Sequence, residues 1–278
     1  MGIFDGCLLI SDIDGTLMHN GVIPQKNVDA IEWFKAEGGI FTIATGRQAS
    51  AALESYKLVK ANAPLIAVQG GVIYDCDNNK VLSQTNLNPQ IFDTVFDILN
   101  AFPAVGCEIC CGVDSCLLNE NDGTRWHCEY EKINYLPLPN DVKTLNVAKI
   151  LFTADDDETY KELIEYSNSF SFDYCYFVAS SNTPVARYLE ILPTNVNKGV
   201  AANKLKKILN AKYCFGIGDF YNDLELIRDT DFGAVVALAP DDLKQISNYV
   251  TCTCEDGAVA DFINQISLFM KGSSVWIR

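Results

Sequence analysis

The order of strand-like and helix-like segments constrains the fold of this chain more than any other feature of its sequence. Short apolar runs rich in β-branched residues alternate with segments whose apolar residues repeat at helical spacing. The first five segments read strand, helix, strand, helix, strand: Cys7–Ile10, Pro24–Glu37, Ile40–Ala44, Gln48–Lys60 and Leu65–Val68. This alternation is typical of a parallel sheet with right-handed crossover helices. We therefore expect an α/β fold.

The alternation stops near residue 80 and resumes near residue 187. A hairpin is predicted at 72–83, and mixed strands and helices follow it, including helices Pro89–Ala101 and Asp156–Asn168. Strand and helix patterns alternate again from the strand Tyr188–Leu192 to a final helix at Gly257–Met270. We therefore predict a doubly wound, Rossmann-like parallel-sheet core made of residues 1–80 and 187–278. Residues 81–186 are predicted to form an inserted α+β cap domain.

The charge of the chain limits its partners. It carries 21 basic and 36 acidic residues, a formal net charge of −15, and residues 81–186 hold 16 of the acidic but only 5 of the basic ones. Such a surface repels nucleic-acid phosphates and anionic lipid, so we expect neither nucleic-acid nor membrane partners. A phosphorylated substrate would need a local cation, and a divalent metal ion is the simplest source.

The cysteines indicate a reducing compartment. There are 11, an odd number, and the N-terminal MGIFDGCLLI has no basic stretch before its apolar run, so we expect no signal peptide and a cytoplasmic protein. Cys110-Cys111 and Cys252-x-Cys254 invite comparison with zinc sites. The chain has only two histidines and no pair of C-x-x-C knuckles, so zinc is not expected.

Four polar segments follow predicted core strands or begin predicted helices. Their residues are Asp12-Ile-Asp14-Gly-Thr16, Thr45-Gly46-Arg47, Asn197-Lys198-Gly199 and Gly218-Asp219-Phe-Tyr-Asn222-Asp223. In open parallel sheets, ligands bind outside the carboxyl ends of the strands. We therefore expect the four segments to converge on one cleft.

The carboxylates of this cleft predict a magnesium site. Asp12 and Asp14 lie two apart in extended chain, so their side chains should point the same way, and Asp219 and Asp223 bring two more. Four carboxylates without a cation would raise each other's pKa and lose their ionisation. A hard divalent cation resolves this, and all-oxygen ligation favours Mg²⁺.

The remaining groups suit phosphoryl transfer. Thr45 offers a hydroxyl and a backbone amide to an anion near a helix start, and Lys198 offers a compact positive charge. One of the paired aspartates would attack phosphorus and form an aspartyl phosphate. The other would protonate the leaving oxygen and then activate water.

These segments resemble the motifs of the haloacid dehalogenase superfamily of phosphotransferases. DIDGTL matches its first motif, DxDGT, and GDFYND matches its acidic fourth motif, GDxxND, while Thr45 and Lys198 match the second and third. The position and length of the insert resemble a class II (type IIB) cap of the Cof-like branch. CEDGAVADFI is similar to the C-terminal signature of that branch.

The resemblance implies a phosphatase that uses magnesium and acts on a small phosphorylated metabolite, with sugar phosphates first. It implies that Asp12 is the nucleophile and Asp14 the general acid/base. It places Mg²⁺ on the carboxylates of Asp12 and Asp219 and on the carbonyl of Asp14, with Asp223 supporting the metal shell. Phosphate would contact Thr45, Gly46, Lys198 and Asn222, and the substrate would contact Arg47. A phosphomutase and a catalytically silent binding or regulatory protein are the alternatives, and the oligomeric state is undefined.

Some residues also allow ordinary structural interpretations. Thr45 and Asp223 could be helix N-caps, and Lys198 could be a solvated lysine in a first turn. Asp155–Glu158 is interpreted as the acidic start of a helix rather than a metal cluster. Two further predictions concern the insert: Arg125, Trp126 and His127 lie on a helix surface or contact substrate, and a helical core stripe contains Phe92, Val95, Phe96 and Leu99.

Overall fold

The computed structural model describes residues 2–180 and 185–272. Its strands are β1 (Cys7–Ser11), β2 (Ile40–Ile43), β3 (Leu65–Ala67), β4 (Val72–Asp75), β5 (Lys80–Gln84), β6 (Gly106–Cys110), β7 (Ser115–Asn119), β8 (Tyr135–Leu136), β9 (Lys149–Ala154), β10 (Cys175–Ser180), β11 (Arg187–Pro193), β12 (Tyr213–Gly218), β13 (Phe232–Val235) and β14 (Tyr249–Val250). Its α-helices are α1 (Gln25–Ala36), α2 (Ala49–Leu58), α3 (Ile91–Ala101), α4 (Asp122–Glu131), α5 (Asp157–Ser167), α6 (Lys198–Ile208), α7 (Leu224–Asp229), α8 (Asp241–Ile246) and α9 (Ala258–Met270).

A parallel sheet in the order β14-β13-β12-β1-β2 forms the core. The central strand β1 is apolar on both faces because each face is covered by helices. Leu9 packs with Phe34 of α1 and Phe262 of α9, whereas Leu8 and Ile10 pack on the α6 side. Helices on both faces of a parallel sheet confirm the predicted doubly wound α/β class.

The insert has its own six-stranded sheet, in the order β10-β11-β9-β6-β7-β8, which we call the insert sheet. One face packs against α3 and α5 in a separate apolar cluster, and α4 packs on the strands β6 and β9. The predicted hairpin is confirmed as β4 and β5, which extend an antiparallel sheet begun by β3. In the described part of the chain, no helix is both long and apolar enough to span a bilayer.

One predicted core strand lies elsewhere. β11 is placed between β9 and β10 of the insert sheet, antiparallel to both. The apolar run that predicts this strand contains no information about which sheet it joins, so the assignment to the parallel core is corrected here. The predicted limit at residue 187 therefore separates β11 from the sheet to which it belongs, whereas the limit at residue 80 stays a prediction. The apolar run Gly233–Ala239 predicts a strand over its whole length, but in the structure the strand ends at Val235.

Candidate functional site

Three carboxylates meet at the carboxyl edge of the core sheet. β1 and β12 are neighbours, so Asp12 after β1 and Asp219 after β12 emerge side by side, and the Asp12 amide donates to Ile217 O at 3.0 Å. Asp223 lies in the short turn that precedes α7. Carboxylate oxygens of Asp12, Asp219 and Asp223 lie within 4.8 Å of one another, which brings two of the predicted segments to one point.

Lys198 joins this acidic cluster from the first position of α6. Its side chain is fully buried, and its ammonium donates to Asp12 Oδ1 at 2.5 Å and to Asp223 Oδ1 at 2.6 Å. The interpretation as a solvated lysine is therefore wrong. Burial alone would lower the pKa of Lys198, but the two aspartates outweigh burial and raise this pKa. The ammonium is held charged beside the Asp12 carboxylate.

The cluster has more negative charge than Lys198 can balance. Burial raises the pKa of Asp12 well above its usual range despite the ammonium beside it. Burial, followed by the charge of Asp223, raises the pKa of Asp219 to about 6. A cleft of about 400 Å³, lined in part by Gly15 and Asp219, borders the cluster. The cluster therefore favours an additional cation, and small ions can approach Asp219 from this cleft.

Glycines make room for the carboxylates. Gly15 has a φ of +86°, which L residues rarely adopt, and a Cβ there would press on the Asp219 carboxylate. A Cβ on Gly218 would collide in the same way with the side chain of Asp223. The hydroxyl of Thr16 donates to Asp219 Oδ1 at 3.2 Å. The DGT and GD sequences thus position the acidic cluster through both backbone shape and contact.

The Asp14 carboxylate stands apart from the cluster. Its side chain is 54% exposed, and Arg47 binds it through two contacts, Nε to Oδ2 at 3.0 Å and Nη2 to Oδ1 at 2.8 Å. The same guanidinium lies 3.8 Å from Glu131 Oε1 and 5.7 Å from the ring centre of Tyr130. Because Tyr130 and Glu131 belong to α4, Arg47 connects the core to the insert.

Thr45 and Gly46 lie just beyond β2. The Thr45 hydroxyl accepts from the Arg47 amide at 3.1 Å, but the Thr45 amide donates to Ile66 O at 2.9 Å. The predicted use of that amide for an anion is therefore wrong in this structure. Thr45 is also no N-cap, since α2 begins only at Ala49. Gly46 O accepts from the ammonium of Lys149, a residue of the insert sheet, at 3.1 Å.

The last two residues of the fourth segment differ in burial. Asn222 is exposed in the turn 221–223, whereas Asp223 is fully buried. Asp223 occupies the N-cap position of α7 without making a side-chain capping bond. Its Oδ2 instead accepts from the Asp219 amide at 3.1 Å. The side chain of Asp223 therefore organises the acidic cluster rather than the helix end.

The insert holds further buried charges. His127 lies between Glu108, at 2.9 Å, and Glu131, at 3.4 Å, so its placement on a helix surface is wrong. Burial alone would lower the pKa of His127, but the two carboxylates raise it to about 9. The capping interpretation of Asp155–Glu158 is confirmed, because the side chain of Asp156 accepts from the Thr159 amide at the start of α5.

Sequence reasoning missed Glu108, Lys149 and Glu190. Lys149 and Glu190 form a buried ion pair at 2.8 Å, with side chains 8% and 7% exposed. Their signal was available, because each interrupts an apolar strand, in VAKILF and YLEIL. A charge inside such a strand is costly to bury unless it is paired. A charged residue at such a position therefore indicates a buried ion pair or a functional site.

Comparison with known proteins identifies the family of this chain. The family model described as haloacid dehalogenase-like hydrolase matches residues 9–263. The chain belongs to this family. It is 26% identical to 5-amino-6-(5-phospho-D-ribitylamino)uracil phosphatase YwtE of Bacillus subtilis, with 94% of this chain and 97% of that protein covered.

Solved structures support the same placement. TM0651 from Thermotoga maritima matches with a TM-score of 0.78 and 25% identity, covering 93% of this chain and 96% of that one. The subclass IIB sugar phosphatase BT4131 shares the fold with a TM-score of 0.75 at 18% identity, covering 94% and 99%. The predicted family is confirmed. The prediction that the chain is a phosphoric monoester hydrolase is confirmed as a general class of enzyme.

Proposed function

We propose that this chain is a Mg²⁺-dependent phosphatase that hydrolyses a small phosphorylated metabolite through an aspartyl phosphate on Asp12. The observation that carries the proposal is the environment of the Asp12 carboxylate. It is buried, it accepts from Lys198, and it shares its cluster with Asp219 and Asp223. This is an environment in which a carboxylate is both held in place and set beside a cation site.

The donor set fits Mg²⁺. Three carboxylates offer oxygen ligands within 4.8 Å, and burial, together with the neighbouring carboxylates, raises the pKa values of Asp12 and Asp219, which a bound cation would offset. We assign the ion to the carboxylates of Asp12 and Asp219 and the carbonyl of Asp14, with Asp223 in support. When bound, Mg²⁺ neutralises charge on the phosphoryl oxygens and lowers the repulsion between them and the nucleophile.

The side chains divide the chemistry between them. A carboxylate oxygen of Asp12 forms a bond to phosphorus while the ester P–O bond breaks, and Asp14 gives its proton to the leaving oxygen. Asp14 then takes a proton from water, whose oxygen displaces Asp12 and releases phosphate. We assign phosphate contacts to Thr45, Gly46, Lys198 and Asn222. Arg47, which already holds Asp14, contacts the substrate beside it.

The substrate class is a small phosphorylated metabolite, with sugar phosphates first. The relatives support this, since one is named as a phosphatase of a phosphorylated ribityl compound and another as a sugar phosphatase. We further propose that the protein works in the cytoplasm. Its eleven thiols are all free in the structure, as a reducing compartment requires.

Turnover of p-nitrophenyl phosphate by Asp12→Asn, with Mg²⁺ and with EDTA, tests the proposal. We expect wild-type turnover only with Mg²⁺ and a loss of at least about a thousandfold in the variant, roughly 4 kcal/mol of barrier. The control Asp93→Asn removes an exposed carboxylate paired with Lys143 and should leave the turnover of p-nitrophenyl phosphate unchanged. A variant within about tenfold of wild type, about 1.4 kcal/mol, would remove the nucleophile role of Asp12.

Product analysis separates the phosphatase from the phosphomutase alternative. A phosphatase releases inorganic phosphate in step with substrate loss and forms no isomer of the substrate. We expect this result on a hexose 6-phosphate. Isomer formation without phosphate release would instead favour the mutase.

A further inference from the structure

Two charged contacts link the insert to the segment that we assign to phosphate binding. Lys149 donates both to Glu190 Oε1 at 2.8 Å and to Gly46 O at 3.1 Å. Arg47 binds Asp14 and lies 3.8 Å from Glu131 Oε1. The negative charge of Glu131 also contributes to raising the pKa of Lys149, so the two contacts belong to one charged region. This region lies directly against Gly46 and Arg47.

Each insert carboxylate in this region has an oxygen that makes no hydrogen bond within residues 2–180 and 185–272. Glu190 Oε2 is buried without any such partner, on a side chain that is only 7% exposed. Glu131 Oε2 lies 3.4 Å from His127 Nε2 but makes no hydrogen bond there. Gln69 Oε1 is a third such acceptor, on an amide that packs against Gly46.

Acceptors of this kind are rare in folded proteins. The large majority of buried polar atoms have a hydrogen-bond partner. A buried polar atom without one costs free energy, and the cost is larger when the group is charged. Three of them around one segment therefore indicate a bound partner that supplies hydrogen-bond donors. The partner need not be anionic, because Arg47, Lys149 and His127 are each already paired with carboxylates.

The contacts of these residues with Arg47 and with Lys149, which binds Gly46 O, point to the partner, given the proposed function on which this step rests. The leaving oxygen of the substrate receives its proton from Asp14, so the leaving group begins beside Asp14 and Arg47. Atoms further along it extend toward the insert residues that contact Arg47 and Gly46. We propose that Glu190 and Glu131 select the leaving group, each accepting a hydrogen bond from a hydroxyl of an uncharged polyhydroxylated leaving group.

A substitution by glutamine reverses the polarity of this contact. In Glu190→Gln, the Lys149 ammonium is a donor and takes the amide oxygen, which turns the amide NH₂ toward the substrate hydroxyl. The substrate hydroxyl can then only accept, so it loses the charge-assisted hydrogen bond that it donates to the carboxylate, while size and shape are kept. Glu131→Gln acts in the same way, because its neighbours Arg47 and His127 are both donors.

The experiment compares two kinds of substrate on the same enzyme preparation. The hydroxylated probes are glycerol 1-phosphate, ribose 5-phosphate and glucose 6-phosphate, of which the one with the highest wild-type kcat/KM is used. The reference is p-nitrophenyl phosphate, whose leaving group has no hydroxyl donor to offer these carboxylates. The ratio of the two kcat/KM values is independent of the fraction of folded enzyme, so a partly unstable variant still gives an answer.

We expect Glu190→Gln to lower kcat/KM tenfold to a hundredfold on the hydroxylated ester and less than threefold on the aryl ester. Glu131→Gln should shift the ratio in the same direction and serves as the second variant. The matched control is Glu108→Gln. Glu108 is a buried carboxylate of the same sheet with both oxygens on His127, so its substitution should change kcat/KM by the same factor on both substrates.

Equal losses on both substrates for Glu190→Gln and Glu131→Gln would overturn the inference and give these residues a purely structural role. A wild-type enzyme that prefers the aryl ester to all three hydroxylated esters would overturn it as well. Both results leave the phosphatase itself standing. A wild-type enzyme that hydrolyses neither kind of ester with Mg²⁺ refutes the proposed function instead.

Discussion

The charge imbalance of the acidic cluster predicts an unusual dependence of stability on pH. The pKa of Asp219 rises from 3.8 to about 6 on folding, mainly through burial. A carboxyl whose pKa is raised in the folded state stabilises the protein below its unfolded pKa, and this contribution is lost as the pH rises through the folded pKa. At about 1.36 kcal/mol per pKa unit, the loss between pH 4 and pH 7 is about 2 kcal/mol, because the unfolded carboxyl is already partly ionised at pH 4.

The measurement is the free energy of unfolding in urea from pH 4 to pH 7, in EDTA, for wild type and Asp219→Asn. Other carboxyl groups titrate in both proteins, so the difference between the two curves isolates the cluster. We expect the wild type to lose about 2 kcal/mol relative to the variant across this range. Saturating Mg²⁺ should abolish the loss, because the bound cation stabilises the ionised carboxylates. Parallel curves in EDTA would refute the reasoning.

The other predictions use the same urea assay. Lys198→Met leaves Asp223 buried without its cation and should cost about 3–5 kcal/mol, while the double variant with Asp223→Asn should recover part of this. Gly15→Ala should cost about 1–2 kcal/mol from its left-handed backbone alone and should weaken Mg²⁺ binding as well, measured by calorimetry. The pKa of His127 is raised from 6.5 to about 9. Its stabilisation is complete below pH 6.5 and lost as the pH rises through 9, so His127→Gln should remove a decline of about 3 kcal/mol.

The fold was predictable where periodicity and order suffice. The alternation of strands and helices around β1 predicts a parallel sheet, and the bounds of α1 lie within one residue of the predicted Pro24–Glu37. The buried face of a helix was harder to predict than its bounds. The predicted core stripe of α3 contains Phe96, which is 38% exposed, whereas Ile91 and Ile98 are buried. Neighbouring apolar residues on a strongly apolar helix leave its buried face ambiguous, and packing decides it.

The site was predictable where a motif carries its own chemistry, and less so where contacts come from the insert. The spacing of Asp12, Asp219 and Asp223 at strand ends implies convergence, since the carboxyl ends of neighbouring parallel strands share an edge. Nothing in the local sequence indicates that Arg47 holds Asp14, or that Lys149 reaches Gly46 O across 103 positions of the chain. Those contacts depend on how the insert packs on the core, which spacing alone does not specify.

Both charged regions commit their lysine to carboxylates, and this bears on how a chain of net charge −15 would bind the phosphate of the proposed substrate. In the acidic cluster, the Lys198 ammonium is already committed to Asp12 and Asp223, so it adds little free positive charge for an incoming anion. In the insert, Lys149 is committed in the same way to Glu190. Under the proposed function, the positive charge that attracts phosphate therefore arrives with Mg²⁺. The binding of Mg²⁺ and of phosphate is then coupled, and each ligand is expected to raise the affinity for the other by the same factor.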